Sequence, residues 1–111
     1  MIYYTKNDKC PVVEFLKTLP KKDQVKILRD LDLLQEYGFE LGLPYLKKMQ
    51  NAEELWEIRT KFGSNSYRVF FFSYIDGNFI LLHGFQKKTE KTPLREIQLA
   101  LNRKHEYIER S

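Results

Sequence analysis

LWEIRTKFGSNSYRVFFFSYIDGNFILLHGFQKKTEKTP, residues 55–93, decides how this chain folds. Leu55 to Phe62 alternates, with Trp56, Ile58, Thr60 and Phe62 on one face and Leu55, Glu57, Arg59 and Lys61 on the other. That period of two predicts a half-buried strand. Gly63-Ser64-Asn65-Ser66 reads as a turn, and Tyr67 to Ile75 is an almost continuous apolar run broken by Arg68 and Ser73. Such a run needs cover on both faces, which places it in the middle of a sheet. Asp76-Gly77-Asn78 has the composition of a tight hairpin, where glycine accepts positive φ, and Phe79 to Gln86 returns as the last strand. Three strands joined by short turns make an antiparallel meander.

The flanks add helices. MIYYT, residues 1–5, is aromatic and β-branched and is expected to pair at a sheet edge. Pro11 marks a helix start, because its missing N–H costs nothing in the first turn. Val12, Val13, Phe15, Leu16 and Leu19 follow at helical spacing, and Pro20 separates this helix from the next. From Pro20 to Tyr37, Val25, Leu28, Leu31 and Leu34 recur every three residues, flanked by Ile27, Leu33 and Tyr37, and Gly38 stands where a C-terminal cap belongs. Gly42 and Pro44 impose a loop, with Tyr45 to Met49 a short extended piece leading into the sheet. After the sheet, Thr92 is the expected cap and Pro93 the first residue of a last helix, which turns Leu94, Ile97, Leu101 and Tyr107 or Ile108 inward and Glu96, Arg103, Lys104, Glu106 and Arg110 outward. The expected fold is α+β: a compact antiparallel sheet, an edge strand plus the three-strand meander, with an N-terminal helical hairpin and a C-terminal helix. Residues 1–111 are expected to form one domain.

Composition narrows the functional classes. Apolar residues at 42% and charged residues at 31% describe a globule rather than a disordered tail. The formal net charge of +4 favours acidic partners, nucleic acid or protein. The single cysteine, Cys10, leaves no internal disulfide and no cysteine-based zinc cluster, as in a reducing cytoplasm, and nothing beside it in sequence supplies a base. The N-terminus has no apolar signal region and no stretch approaches the length of a membrane span, so a cytoplasmic protein without membrane contact is expected.

Arg68 is the most informative residue of the central stretch. A guanidinium inside YRVFFF is costly unless it reaches a carboxylate or an open surface. Either Glu57 on a neighbouring strand is its counter-ion, or the guanidinium fork clamps a phosphate. Arg59 and Lys61 share a face with Glu57, and Lys87, Lys88 and Lys91 leave the end of the last strand. Mutually repelling cations gathered around one carboxylate imply a polyanion. Lys47 and Lys48 add charge just before the sheet, and His83 lies on the last strand near the basic loop. Nothing in the spacing brings His83 and His105 together as an acid–base pair, and most of the aromatics read as core before they read as a base-stacking platform.

LWEIR, a Gly-Ser turn, SYRVFFF, an apolar strand, then HGFQKKTEKTP and a helix containing EIQLALNR, all preceded by a helix ending in LDLLQEYG, together resemble the RelE/ParE superfamily, in particular HigB-type toxins of toxin–antitoxin modules. The resemblance covers nearly the whole chain. It implies a sheet backed by an N-terminal helical hairpin, and a metal-independent, ribosome-dependent endoribonuclease that cuts translated mRNA. It also implies a helix-turn-helix antitoxin as partner, beside the ribosome and mRNA, and no cofactor. Carried over by position, Arg68 matches the arginine of the family's YR motif and Arg59 the basic strand position before the turn. Glu57 stands where RelE has a lysine and Lys88 where RelE has an arginine. RelE's C-terminal tyrosine has no counterpart here, and Lys91 is the nearest substitute.

The catalytic set expected on this basis is Arg59, Arg68, Lys88, Lys91 and Glu57, with Lys47, Lys48, Lys61, Lys87 and His83 contacting RNA. RNA cleavage by an internal 2′-hydroxyl needs that hydroxyl deprotonated, a phosphorane stabilised and a 5′-oxygen protonated. Arg59 and Arg68 suit the phosphorane, Glu57 or a lysine of lowered pKa suits the base, and Lys88 or Lys91 suits the leaving group. Two other functions fit the same cations: a ParE-like inhibitor of DNA gyrase, and a non-catalytic module that binds nucleic acid or an acidic antitoxin.

Overall fold

The computed structural model describes residues 1–111. In chain order the elements are β1 (Ile2–Tyr3), α1 (Pro11–Lys17), α2 (Lys21–Tyr37), a 3-10 turn (Gly38–Leu41), β2 (Leu46–Lys48), β3 (Trp56–Phe62), β4 (Asn65–Tyr74), β5 (Asn78–Gln86) and α3 (Leu94–Arg110). The strands form one sheet in the order β1-β5-β4-β3-β2. β4 is therefore the central strand, as its apolar run requires, with every residue from Tyr67 to Phe72 buried.

The α+β class and the β3-β4-β5 meander agree with the sequence, but the sheet differs from expectation in two ways. It is mixed rather than antiparallel, because β1 runs parallel to β5 with Ile2 opposite Ile80 and Tyr3 opposite Leu81. It also has a fifth strand: the short extended piece before the meander pairs with β3, Leu46 opposite Ile58 and Lys48 opposite Trp56. α1 and α2 carry the chain from β1 to β2 at the opposite edge, and the meander steps back until β5 lies beside β1; this connection sets the parallel direction of a two-residue strand whose side chains carry no register signal of their own.

The sheet separates two apolar clusters. On one face α1 packs on β5 and α2 on β3, burying Val12, Leu16, Ile27, Leu31 and Leu34 against Ile58, Tyr67, Val69, Phe71 and Leu81. The expected helical hairpin is lopsided, seven residues followed by seventeen, and each helix docks on the sheet. α1 can lie this close to β5 because of Gly84: a Cβ there would sit 2.5 Å from Cδ2 of Phe15. On the other face α3 covers β5 and β4, burying Phe70, Phe72, Ile80, Leu82 and Phe85 with Ala100. A bulge leaves Leu82 without a partner of its own, since Phe70 faces His83 and Phe71 faces Leu81. Adjacent residues Leu82 and His83 thereby both reach the α3 side.

Helix faces also need correction. α2 buries Asp23, Ile27, Asp30, Leu31 and Leu34, while Val25 and Leu28 of the expected every-third stripe are about 40% exposed, at 41% and 40%. A spacing of three drifts around a 3.6-residue helix, and the alternation of three and four through Ile27, Leu31 and Leu34 is the one that stays on the sheet. In α3, Pro93 is the cap residue and Leu94 the first helical one, so Thr92 is not the cap. Leu94 and Ile108 are exposed, whereas Lys104, expected outward, is buried: its ammonium donates to the Glu53 carbonyl and lies 5.5 Å from the Phe72 ring centre. Tyr4 donates to Glu106 at 2.7 Å and ties β1 to the end of α3.

Candidate functional site

The register of the sheet places the charged residues. Lys47 lies opposite Glu57, Arg59 opposite Arg68, and Arg68 in turn opposite Phe85. With side chains alternating along each strand, Lys47, Glu57, Arg59, Arg68 and Phe85 all point to the α3 side of the sheet. α3 packs on β5 and β4, so the β3 end of that face is left for the charges.

Glu57 and Arg68 are both buried here, with side chains 3% and 8% exposed, and Arg59 is one-third exposed at 33%. The Glu57 Oε1 stands 3.5 Å from Arg68 Nε and 3.7 Å from Arg59 Nε. These are ion-pair distances without hydrogen bonds. Arg68 spends one terminal nitrogen on the Tyr67 carbonyl, at 3.1 Å, while its Nε and the second oxygen of Glu57, Oε2, have no hydrogen-bond partner although both are buried. Buried polar atoms are nearly always satisfied, and leaving one bare costs about 1–3 kcal/mol. Burial lowers the Arg68 pKa, Glu57 opposes that shift and Arg59 adds to it. The group is held in place yet retains unused bonding capacity, which is what a ligand-binding cluster requires.

Two clefts flank the cluster. One, of ≈ 470 Å³, is lined by Glu57, Lys47, Lys87 and Lys91, with Glu90 and Met49 among its other walls. None of those three lysines is ion-paired. The Lys87 backbone is fixed by an N–H bond to the Ser66 carbonyl at 2.8 Å. Its ammonium is pushed below the ordinary lysine range, first by burial and then by Arg68, with Arg59 and Lys47 acting the same way and Glu57 opposing. The other cleft, of ≈ 400 Å³, holds Arg59, Arg68, Lys26, Lys61, Thr60 and Tyr45 among its walls.

The structure thus brings together Glu57, Arg59, Arg68, Lys47, Lys87 and Lys91, and places Lys61 in the adjoining cleft. It does not bring in Lys48, which lies opposite Trp56 and pairs with Glu54 at 2.9 Å, nor Lys88, which is exposed and lines neither cleft. His83 is on the same face but is clamped by α3. The Arg103 guanidinium donates to its Nδ1 and to the Leu82 carbonyl, each at 3.0 Å, so Nδ1 is bare and Nε2–H donates to Glu96 at 2.8 Å. Burial lowers the His83 pKa, Arg103 acts with it and Glu96 against it. His105 pairs with Glu53 at 2.6 Å.

Two supporting carboxylates escaped the sequence reading. Asp30, 2% exposed, accepts from Thr60 of β3 at 2.7 Å and from Lys26 at 2.9 Å, and Asp23 accepts from the Tyr67 hydroxyl of β4. Burial and Asp23 together push the Tyr67 pKa up to about 12. Thr60 and Tyr67 immediately adjoin Arg59 and Arg68, so these bonds fix the two strands from behind. The available signal was their seven-residue separation, which puts both on the helix face of Ile27 and Leu34.

No group of three or more His, Cys, Asp or Glu side chains is arranged to hold a metal ion. No helix is long and apolar enough to cross a membrane. A search of curated proteins finds no match to this chain. A family model described as "Phage derived protein Gp49-like (DUF891)" matches residues 14–105, which run from α1 through the sheet and most of α3 and include the whole charged cluster. The chain belongs to this Gp49-like family of phage-derived proteins, a toxin–antitoxin-associated family related to the RelE and HigB toxins, and that membership implies an antitoxin as partner.

Proposed function

We propose that this protein is the toxin of a toxin–antitoxin module and acts as a metal-independent endoribonuclease on mRNA being translated at the ribosome. The observation that carries the reading is the buried Glu57–Arg68 pair with Glu57 Oε2 and Arg68 Nε unbonded, beside a cleft lined by three unpaired lysines. A purely structural ion pair has no use for the lysines, and a purely electrostatic binding surface has no use for a buried carboxylate.

The scissile phosphate sits against Arg59 and Arg68, whose planar forks match phosphate oxygens and stabilise the charge of the phosphorane. Glu57, which lines the lysine cleft, takes the proton of the 2′-hydroxyl as that oxygen attacks phosphorus. The bond to the 5′-oxygen then breaks, and Lys87, whose lowered pKa makes its ammonium a better acid, supplies the proton that the leaving oxygen needs. The products are a 2′,3′-cyclic phosphate and a 5′-hydroxyl end, and proton exchange with water resets both groups. Lys47 and Lys91 neutralise the neighbouring phosphates. Lys87 takes the acid role here in place of Lys88, because Lys87 faces the cluster and Lys88 does not.

Induction in cells separates this reading from its rivals. Cut mRNA with unchanged plasmid supercoiling is the expected result. Intact mRNA with altered supercoiling would point to gyrase, and neither change would point to a non-catalytic binder.

A further inference from the structure

A third groove, of ≈ 500 Å³, lies along the outer side of α2 and the β3–β4 turn. Its walls include Lys21, Lys22, Lys26, Arg29 and Lys61, and no carboxylate. Lys26 and Lys61 also line the ≈ 400 Å³ cleft that holds Arg59 and Arg68, so the groove opens directly onto the proposed cleavage site. Apart from Lys26, which pairs with Asp30, none of the cations in this groove has an acidic partner.

Two features have no structural explanation. Lys21 and Lys22 occupy the first turn of α2, where the partial positive charge of the helix end disfavours cations. The three grooves together gather ten of the chain's 19 Lys and Arg residues against three carboxylates, in a protein whose total is only +4. The remainder is net acidic, so the positive charge is segregated into one band. Segregation of this kind opposes folding through self-repulsion and is relieved by a bound polyanion.

We propose that Lys21, Lys22, Arg29 and Lys61 form a phosphate track that carries the RNA strand away from the cleavage site across α2. The track rests on the nuclease reading for its direction, since it leads to Arg59 and Arg68. The occupant is an extended nucleic-acid backbone, because cations line the groove with only Val25 and Phe62 as apolar walls, too little to seat the apolar face of a protein helix.

The test uses fluorescein-labelled single-stranded RNA of about 15 nucleotides and of about three, with binding followed by anisotropy across a salt series. The variant carries Lys21→Gln, Lys22→Gln and Arg29→Gln, all on the exposed side of α2 and away from the cleavage residues; a thermal melt verifies its fold. The long RNA is expected to bind the variant at least about tenfold more weakly, with the log–log salt slope shallower by about 0.7 for each phosphate contact removed. The short RNA binds both proteins alike. Equal affinity for the long RNA would overturn the track, as would an equal loss for both probes. If wild type binds the long RNA with the full slope but cuts no mRNA, the nuclease reading fails and the track stands.

Discussion

Arg59 and Arg68 face each other directly across β3 and β4, with the Glu57 Oε1 alone holding the two guanidiniums together. Like charges directly opposite on neighbouring strands destabilise a sheet. Removing the more exposed of the two relieves that repulsion, so Arg59→Gln is expected to leave chemical denaturation unchanged or to stabilise by up to about 1 kcal/mol. Cleavage falls about 100-fold in the same variant, as for loss of one transition-state donor. A large loss of stability would show that Arg59 is there for the fold.

Glu57→Gln separates base from counter-ion. The substitution keeps the shape but leaves the Arg68 guanidinium buried without a charge partner, and a cost of about 3–5 kcal/mol is expected in urea denaturation. Under conditions where the variant is fully folded, single-turnover cleavage is expected to fall by about 100- to 10,000-fold. Undiminished cleavage by the folded variant would assign Glu57 to stability only.

The pH dependence follows from Lys87. As the acid it must be protonated, so the basic limb of the cleavage profile declines as pH rises through the lowered Lys87 pKa, below the ordinary lysine value of about 10.4. Arg68 is the largest charge acting on it, so Arg68→Gln moves this limb to higher pH even as it slows the reaction. The linked stability effect has the opposite sense: between the folded and unfolded pKa values the unfolded chain binds the extra proton, so this group makes stability rise with pH. A basic limb that stays put in Arg68→Gln would remove Lys87 from the acid role.

Gly84→Ala tests the docking of α1. The new methyl meets the Phe15 ring at 2.5 Å, and relieving the overlap means shifting α1 off β5 at a cost of about 1–3 kcal/mol. Phe15→Leu in the same chain is expected to recover part of the loss, measured by thermal melts of the three variants.

Much of this architecture is legible in residues 55–93, because two strong physical signals coincide there: strict alternation in β3 and an unbroken apolar run in β4 flanked by glycine turns. Arg68 stands out for the same reason, as a charge where a core residue belongs. Elements without such a pattern are less legible. β1 and β2 are two and three residues long, and their pairing is decided by distant strands. Val25 and Leu28 mislead because leucine and valine on the outside of a helix look like core until the sheet's position is known. The site is partly hidden too. Lys87 and Lys88 are equivalent in sequence, and only the direction in which the chain leaves β5 turns one of them toward Arg68. His83 reads as an RNA contact until Arg103 and Glu96, a helix away, are seen to hold both of its nitrogens.

Primer extension on a defined mRNA in a purified translation system, with wild type and Arg68→Lys compared, tests the central claim most directly. Lysine keeps the charge beside Glu57 but loses the fork. The account predicts cuts within translated codons for wild type, dependent on ribosomes, and at least about 100-fold slower cutting by Arg68→Lys. Intact mRNA with wild type, or equal cutting by both proteins, would contradict it.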